Sequence, residues 1–306
     1  MNEELDRIII SKEEEDMRLD VFLSSLYPSF SRSFFKNRIT GGDVTLNGKQ
    51  AKAGAFLTSG DEVIIRFPEQ KPLSVEPEPI ELSIVYEDSD VIVVDKPKGM
   101  VVHPAPGHMS QTMVNALLYH CSDLSGINGV LRPGIVHRID KDTTGLVIAC
   151  KNDFSHRAIA EQLKEHSVTR FYRAIVTGNV KEDEGTIDTF YGRNPSDRKK
   201  MAVTKSGRRA VTHYRVLKRF GQYTYMEFRL ETGRTHQIRV HMAYMNHPLV
   251  GDPLYGNGKN PFGAEGQILH AMVLGFVHPR TGQYMEFSSP LPAEFESILQ
   301  KLENFS

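Results

Sequence analysis

The chain has 306 residues, of which 40% are hydrophobic and 25% are charged, and its formal net charge is −1. This is the composition of an ordinary globular protein, and the near-neutral charge argues against a surface that is basic throughout. Its two cysteines, Cys121 and Cys150, provide neither a disulfide framework nor zinc-ligand spacing. The charged N-terminus lacks the apolar core of a signal peptide and no apolar run could span a bilayer, so we expect a cytoplasmic protein with no membrane partner.

Residues 17–67 predict two short helices followed by two strands. An apolar helical stripe begins at Leu19, and Ser31 is a suitable N-cap for a second helix that Gly41-Gly42 would end. The runs VTLNG and DEVIIRF predict strands bounded by turns. The second helix carries three cations that suit contact with RNA phosphates, unless they are incidental to a purely structural module. These cations are Arg32, Lys36 and Arg38.

The whole segment RLDVFLSSLYPSFSRSFFKNRITGGDVTLNG, with GDEVII after it, resembles the alpha-L, or S4-type, RNA-binding domain. That domain is also found in a ribosomal small-subunit protein. The resemblance implies an RNA-binding domain, which we place at residues 15–75. It also implies that Arg32, Lys36 and Arg38 belong to the substrate-binding residues.

A proline-rich stretch follows this domain. Residues 68–79 read PEQKPLSVEPEP, and their four prolines cannot sustain a helix or a central strand, so they predict a semi-rigid linker. A second domain, residues 82–306, then begins with two predicted strands, a proline-rich loop and a helix over 112–120. The loop carries His103, which we expect to be structural because it stands alone.

The stretch RPGIVHRIDKDTTGLVIAC, residues 132–150, predicts a strand, a polar loop and a second strand. The two apolar runs are Gly134–Val136 and Leu146–Cys150. Asp140 lies between Arg138 and Lys141, whose charges favour its ionised form, and such a carboxylate can act as a nucleophile or a base. The alternative is a solvated turn held by local hydrogen bonds. Spacing alone leaves both alternatives open.

The sequence HRIDKDTTGLVIACKN resembles the catalytic motif of the RluA/RluD family of pseudouridine synthases, which act on uridines in structured RNA. Two further segments match that family in the same order, RFYRAIVTG and GRTHQIRVH through HPLVGDPLYG. The resemblance implies that Asp140 is catalytic, that Arg239 forms an ion pair with it, and that Tyr172 stacks on the target base.

The same resemblance implies further substrate contacts. Arg138 corresponds to the family arginine that moves into the place of the flipped base, and we also place His137 and Thr144 among the substrate-binding residues. The family usually has a lysine near the position of Arg170 or Phe171, so an arginine here is a departure that keeps the charge.

Residues 193–219 form a basic tract, with ten cations against one acid. Such a tract would steer a polyanion, although a solvated hairpin without a partner is the alternative. Further on, Thr235 is a candidate N-cap for a helix. His236 and His241 are five residues apart, share neither a helix face nor a strand face, and have no nearby cysteine or acid, so we expect no metal site.

These segments together predict an α+β fold, with a mixed, mostly antiparallel sheet and flanking helices beside the small N-terminal alpha-L domain. HPAPGH and RPGIVHR are similar to the RluD-like branch of the family, which implies uridine isomerisation in a stem-loop of large-subunit ribosomal RNA. The carboxylate would attack the sugar's anomeric carbon or deprotonate its neighbour, and the sequence does not choose between these routes. The reaction needs no redox step, and no glycine-rich dinucleotide or phosphate loop is present, so we expect no cofactor.

Two alternatives remain open at this level. The first is the same reaction on transfer RNA or at another ribosomal site. The second is a non-catalytic RNA-binding factor for ribosome assembly, against which the presence of Asp140, Tyr172 and Arg239 counts. In either case we expect structured RNA, and ribosomal particles, as partners of a monomeric protein.

Overall fold

The computed structural model describes residues 4–28, 30–67, 75–105, 107–256, 258 and 260–304. The chain divides into two compact units, residues 1–72 and residues 73–306. None of the helices within the described ranges is long and apolar enough to cross a membrane. Each unit builds its own hydrophobic core against its own sheet.

The first unit packs two helices against a four-stranded antiparallel sheet. Its elements are β1 (Glu4–Ile9), a 3-10 helix (Lys12–Glu14), α1 (Leu19–Leu26), α2 (Arg32–Gly41), β2 (Val44–Leu46), β3 (Lys49–Gln50) and β4 (Glu62–Phe67). The strand order is β1-β4-β2-β3. The predicted caps of α2 are confirmed: the Ser31 hydroxyl accepts the N–H of Phe34 at 3.2 Å, and Gly42 ends the helix at a φ of +88°.

Strand β1 was not predicted. It lies before the segment that carries the domain pattern, and its mixed charged and apolar residues form an edge strand. Its pairing with β4 joins residues more than fifty positions apart, from Glu4 with Phe67 to Ile9 with Glu62. Such a pairing depends on tertiary contacts that no local pattern contains.

The second unit is built on one ten-stranded sheet. Its elements are β5 (Ser83–Glu87), β6 (Val91–Lys96), α3 (Met113–His120), β7 (Thr144–Cys150), α4 (Asp153–Lys164), β8 (Thr169–Thr177), β9 (Glu184–Arg193), β10 (Met201–Thr204), β11 (Arg208–Arg219), β12 (Tyr223–Leu230), α5 (Gln237–Tyr244), β13 (Leu269–Val277), β14 (Tyr284–Ser288) and α6 (Ala293–Asn304). The order is β10-β9-β11-β12-β8-β13-β7-β6-β5, with β14 paired to β13. Strands β13 and β7 are parallel and the other pairs are antiparallel, so the predicted α+β fold with a mixed, mostly antiparallel sheet is confirmed.

Helices pack on both faces of the sheet at strands β6 and β7. Ile92 and Val94 pack on the side of α3 and α5, whereas Val91 and Val93 pack on the side of α4. Successive strand residues point to opposite faces, so a strand covered on both sides reads as a continuous apolar run. This explains why β6 and β7 lack the alternation of apolar and polar residues that a half-exposed strand has. The loop before β7 is therefore anchored at one end to a strand that is buried on both faces.

The structure corrects one expectation for this unit. Gly134–Val136 does not form a strand; it contributes a single bridge between Ile135 and Ala149, because the chain turns at Gly134 with a φ of +71°. Residues 68–74 of the predicted linker lie outside the described residues. Residues 75–79 have no helix or strand, but they pack on α3, where the Glu78 N–H donates to the Asn115 carbonyl at 3.0 Å.

Candidate active site

The second unit contains an open cavity of about 620 Å³ beside the loop that precedes β7. Its walls come from this loop, from β8, and from α5 with the chain that leads to it from β12. The cavity brings together the three residues predicted to be central to the chemistry, Asp140, Tyr172 and Arg239. They are up to 99 residues apart in the chain, so the fold assembles them rather than local sequence.

A short ion pair joins the carboxylate of Asp140 to the guanidinium of Arg239. Nη1 of Arg239 donates to Oδ2 of Asp140 at 2.8 Å, and the two side chains are only 6% and 16% exposed respectively. In such a half-buried setting a charge-assisted hydrogen bond fixes both the charge and the direction of the carboxylate. The arrangement therefore presents an oriented anion at the wall of the cavity.

Arg239 is itself held by a second carboxylate, that of Asp252. Nε donates to Oδ2 at 2.7 Å and Nη2 donates to Oδ1 at 2.9 Å, a bidentate pair with no exposure on the Asp252 side chain. Burial opposes the charge on Arg239, but the hydrogen bonds to Asp252 and the charge of Asp140 raise its pKa above the ordinary range. Nη1 is the atom that this clamp leaves for Asp140.

Asp252 follows Gly251 in a loop whose backbone also grips the carboxylate. The N–H groups of Leu254 and Tyr255 donate to its Oδ1 at 2.9 and 3.0 Å. Burial works against ionisation, but the hydrogen bonds and charge of Arg239 hold the pKa of Asp252 below its usual range. This residue was missed in the sequence. The available signal was an acid inside the matched segment HPLVGDPLYG.

His236 forms a further link to the same site. Its Nδ1 shares a hydrogen bond with the Tyr255 hydroxyl at 2.8 Å, and its Nε2 lies 3.8 Å from Oδ1 of Asp140. The expected N-cap, Thr235, is wrong: α5 begins at Gln237 after His236 turns with a φ of +58°. Thr235 is tied down by its carbonyl, which accepts the Tyr191 hydroxyl at 2.6 Å.

The β8 side of the cavity carries Tyr172 two residues after Arg170. Both side chains are buried, and they point to the same face of the strand because they are separated by one residue. Burial raises the pKa of Tyr172, so the phenol is neutral at ordinary pH. Its ring forms an apolar surface beside the oriented carboxylate.

Arg138 extends from the same loop as Asp140 and is exposed to solvent. Its Nη1 lies 3.4 Å from Nε2 of His103. Burial, together with the charges of Arg138 and Arg132, lowers the pKa of His103 to about 4, so the imidazole is neutral beside the guanidinium. Arg138 is thus an exposed cation at the cavity with no carboxylate within 4 Å among the described residues.

The other predicted substrate-binding residues are more scattered. His137 lines the cavity, but its Nε2 accepts the N–H of Ile148 at 3.1 Å. Thr144 lines a different cavity of about 430 Å³, and its hydroxyl shares a hydrogen bond with Nδ1 of His270 at 2.8 Å. The remaining three lie on α2 of the first unit: Arg32 pairs with Asp20, Arg38 pairs with Asp43, and Lys36 is exposed.

The basic tract at residues 193–219 divides into two parts. Four of its cations have carboxylate partners: Arg209 with Asp188, Arg215 with Glu227, Lys218 with Glu303, and Arg219 with Asp183. The other six have no carboxylate within 4 Å in the part of the chain that the structure describes: Arg193, Arg198, Lys199, Lys200, Lys205 and Arg208. The positive charge that is free to attract a polyanion is therefore concentrated around β10 and its flanking turns.

Within the described residues, two groups of side chains away from the cavity have the atom types of metal ligands. They are Glu87 with His120 and Cys121, and Asp88 with Asp90 and His278. Each already contains a cation, since Lys151 lies 2.7 Å from Glu87 and Arg280 lies 2.6 Å from Asp90. The pair expected not to bind metal, His236 and His241, is engaged by Tyr255 and by Thr189 and Thr212 respectively.

Comparisons with known proteins match both parts of the chain to known families. Residues 90–244 match the family model described as RNA pseudouridylate synthase, and residues 17–63 match the S4 domain. An uncharacterised RNA pseudouridine synthase of Bacillus subtilis is 52% identical over 295 residues, covering 96% of this chain and 97% of the relative. A ribosomal large subunit pseudouridine synthase D of Zymomonas mobilis is 44% identical, covering 97% of each chain.

A solved human structure, RNA Pseudouridylate Synthase Domain Containing 1, superimposes with a TM-score of 0.57 at 25% identity, covering 76% of this chain and 98% of that one. The fold class, the matched family model and the near-complete coverage of the bacterial relatives all agree. The chain belongs to the RNA pseudouridine synthase family, whose members are isomerases, and it carries an S4 domain.

Proposed function

We propose that this enzyme converts uridine to pseudouridine in a stem-loop of large-subunit ribosomal RNA, with Asp140 as the residue that acts on the nucleoside. The observation that carries the chemical part is the Asp140 carboxylate, held at 2.8 Å by Arg239 at the wall of a cavity large enough for a nucleotide. An ionised and oriented carboxylate is what either route needs, whether attack on the anomeric carbon or removal of a proton from its neighbour.

The substrate part rests on the relatives. Proteins of Zymomonas mobilis, Neisseria meningitidis and Pseudomonas aeruginosa that are 43–44% identical to this chain are named ribosomal large subunit pseudouridine synthase D. The chain covers 78–97% of their lengths. Such coverage includes the S4 domain as well as the cavity, so it supports a common type of RNA target.

Access to a uridine inside a stem-loop requires that the base leave its stack. Tyr172 supplies an aromatic face on which a flipped base can stack. Arg138, exposed at the cavity without a carboxylate partner, is suited to fill the vacated place in the RNA. His137 lines the same cavity, where its Nε2 accepts the N–H of Ile148, and Thr144 lines the other cavity.

Electrostatics accounts for the recruitment of RNA. We assign residues 15–75 to the S4-type domain, with Arg32, Lys36 and Arg38 as phosphate contacts, and residues 82–306 to the catalytic domain. The unpaired cations around β10 provide a second attractive surface. A protein of this kind works on ribosomal RNA or ribosomal particles in the cytoplasm as a monomer.

The test is pseudouridine mapping across unmodified ribosomal and transfer RNA after incubation with the wild type and with Asp140→Asn. The wild type is expected to introduce sites that cluster in a large-subunit loop. Asp140→Asn removes the charge but nearly keeps the shape, so turnover should fall by at least about 10⁴-fold, as for the loss of a nucleophile elsewhere. Binding of the RNA should stay within about twofold, because the phosphate contacts that dominate affinity are unchanged.

Asp142→Asn provides the matched control. Asp142 is in the same loop but lines the other cavity, so its amide variant should keep the activity. New sites in transfer RNA alone would replace the ribosomal substrate with the transfer RNA alternative. Tight binding with no new site in any RNA would overturn the catalytic assignment of Asp140 and favour an assembly factor.

A further inference from the structure

Arg170 is a buried cation with no counter-ion among the described residues. Its residue is 7% exposed, and the one hydrogen bond that it makes to those residues runs from Nη2 to the carbonyl of Glu231 at 3.3 Å. Its Nε is buried with no hydrogen-bond partner. Among the residues that the structure describes, no carboxylate oxygen lies within 4 Å of its guanidinium.

The neighbours of Arg170 supply no negative charge at ordinary pH. Burial and the charge of Arg170 lower the pKa of His137 to about 3, so this histidine is neutral. Tyr172 is neutral as well, because burial raises its pKa. Arginine keeps its proton even in such surroundings. Burying such a charged guanidinium costs free energy unless an anion or further hydrogen-bond acceptors compensate its charge.

The guanidinium faces the cavity that contains Asp140. Arg170 lines this cavity together with Tyr172, its neighbour on the same face of β8. It also closely approaches Gly233, another residue of the cavity lining, where a Cβ atom would stand 2.7 Å from Nη1. The chain thus leaves room for the guanidinium by means of a glycine, and the cavity is the open space from which a ligand would reach it.

We propose that Arg170 binds the negative charge that develops on uracil when the bond between N1 and the sugar breaks. In that step the electron pair of the N1–C1′ bond stays on uracil, which leaves as an anion with its charge spread over the ring and its carbonyl oxygens. C1′ is then joined to the Asp140 carboxylate, or a proton of the adjacent sugar carbon passes to it. The ring then forms the C5–C1′ bond as the bond between C1′ and the carboxylate breaks, or, on the other route, as Asp140 returns the proton to the adjacent sugar carbon. C5 loses its proton and N1 gains one, so Asp140 is regenerated and atoms and electrons balance.

The position of Arg170 favours the base over a phosphate as its ligand. Phosphates of RNA are charged before the reaction and stay hydrated along the strand, whereas Arg170 lies on the buried wall beside the ring of Tyr172. A planar guanidinium matches the adjacent nitrogen and oxygen atoms at the edge of a uracil anion. A donor aimed at charge that appears only during the reaction accelerates the chemical step rather than binding.

This inference rests on the proposed role of the cavity in cleaving the glycosidic bond, and its first test is single-turnover kinetics with Arg170→Met and Arg170→Lys. Arg170→Met should slow the conversion of uridine by about 10²- to 10³-fold, the loss seen when one such donor is removed. The dissociation constant of the RNA should remain within about twofold. Arg170→Lys keeps the charge but loses the fork, and it should recover part of the rate.

Arg173→Met is the matched control on the same strand. Arg173 pairs with Glu227 at 2.8 Å, so its loss should affect the melting temperature more than the rate. A leaving-group test separates electrostatics from folding. A fluorine at C5 of the target uridine stabilises the uracil anion by itself, so Arg170→Met should slow consumption of that nucleoside much less than consumption of uridine. An equal loss on both substrates would overturn the proposal.

A binding measurement that needs no turnover distinguishes failure of this inference from failure of the proposed function. The probe is 5-nitrouracil, which is anionic at neutral pH, titrated calorimetrically into the wild type, Arg170→Met and Asp140→Asn. We expect binding by the wild type and by Asp140→Asn, and at least about tenfold weaker binding by Arg170→Met. Equal affinity of wild type and Arg170→Met would overturn the assignment of Arg170, whatever the mapping of modified sites shows.

Discussion

Two walls of one cavity each contain a buried arginine, and the two arginines differ in their ion-pair partners. In the wall formed by α5, Arg239 is shared between two carboxylates, Asp140 and Asp252. In the wall formed by β8, Arg170 is equally buried, and within the described ranges its one hydrogen-bond partner is a carbonyl. The guanidinium of Arg239 is already paired with carboxylates before substrate binds. The guanidinium of Arg170, which lines the cavity, still has N–H groups that can donate to a ligand.

The two proposals account for this difference by the time at which the complementary charge is present. If Asp140 acts on the nucleoside, it needs its charge and direction from the start, so a permanent ion pair suits it. Charge on a departing base exists only during the reaction, and a permanent carboxylate beside Arg170 would cancel the field proposed to act on it. On this interpretation the fold keeps a buried cation without a nearby carboxylate on β8, while Asp252 holds Arg239 in place on the other wall.

Of the variants that test this difference between the two arginines, Asp252→Asn should have the largest effect on stability and turnover. This variant removes one carboxylate from a fully buried pair and leaves Arg239 free to swing towards Asp140. Breaking a buried pair on one side costs about 3–5 kcal/mol, so denaturant unfolding should show a loss near the low end of that range. Turnover should fall by about 10²-fold, because a small misplacement of the carboxylate is amplified in the rate.

Asp188→Asn is the control for Asp252→Asn. Asp188 also pairs with an arginine, Arg209, but it does so at the surface, where such pairs contribute at most about 1 kcal/mol. If Asp252→Asn lost no more stability and rate than Asp188→Asn, Asp252 would not be the residue that positions Arg239.

A smaller effect is expected when the other wall is disturbed by Gly233→Ala. The added Cβ would stand 2.7 Å from Nη1 of Arg170, so the guanidinium has to move. The atom in the way is the end of a flexible side chain, and the free energy of unfolding should change by less than about 1 kcal/mol. Turnover should fall by about three- to tenfold, since the charge stays in the cavity but loses its alignment.

Gly126→Ala is the appropriate comparison for Gly233→Ala, because its Cβ would meet nothing within 4 Å. Both variants lower the entropy of the unfolded chain in the same way. An unchanged rate for Gly233→Ala would mean that the alignment of Arg170 has no part in the reaction.

The sequence predicts one wall of this cavity better than the other. Asp140 and Arg239 lie in motifs with characteristic local patterns, and their expected ion pair is present in the structure at 2.8 Å. Arg170 stood out only as an arginine where lysine is usual. Among the described residues, neither β12 nor the chain after it brings a carboxylate close to Arg170. The absence of a tertiary partner cannot be recognised from local sequence.

The same limit applies to the fold. The Ser31 and Gly42 caps were predictable because each acts within a few residues of itself. The pairing of β1 with β4, the clamp of Asp252 on Arg239 and the left-handed turn at His236 were not, because each depends on residues brought together by tertiary folding. Gly134–Val136 has the composition of a strand, but the turn at Gly134 limits its pairing to one bridge.

The smallest effect concerns His137, which lines the same cavity. We expect it to affect the stability of the fold rather than the binding of substrate. Burial and Arg170 lower its pKa to about 3 from 6.5, so the unfolded chain gains a proton below pH 6.5 that the folded protein does not take up until about pH 3. The free energy of unfolding therefore decreases as the pH falls through that window, by about 2 kcal/mol at pH 5. His137→Gln keeps an acceptor for the N–H of Ile148 without titrating, so its melting temperature should fall less between pH 7 and pH 5 than that of the wild type. At pH 7 its KM should be unchanged, and a large increase would instead show that His137 contacts the RNA directly.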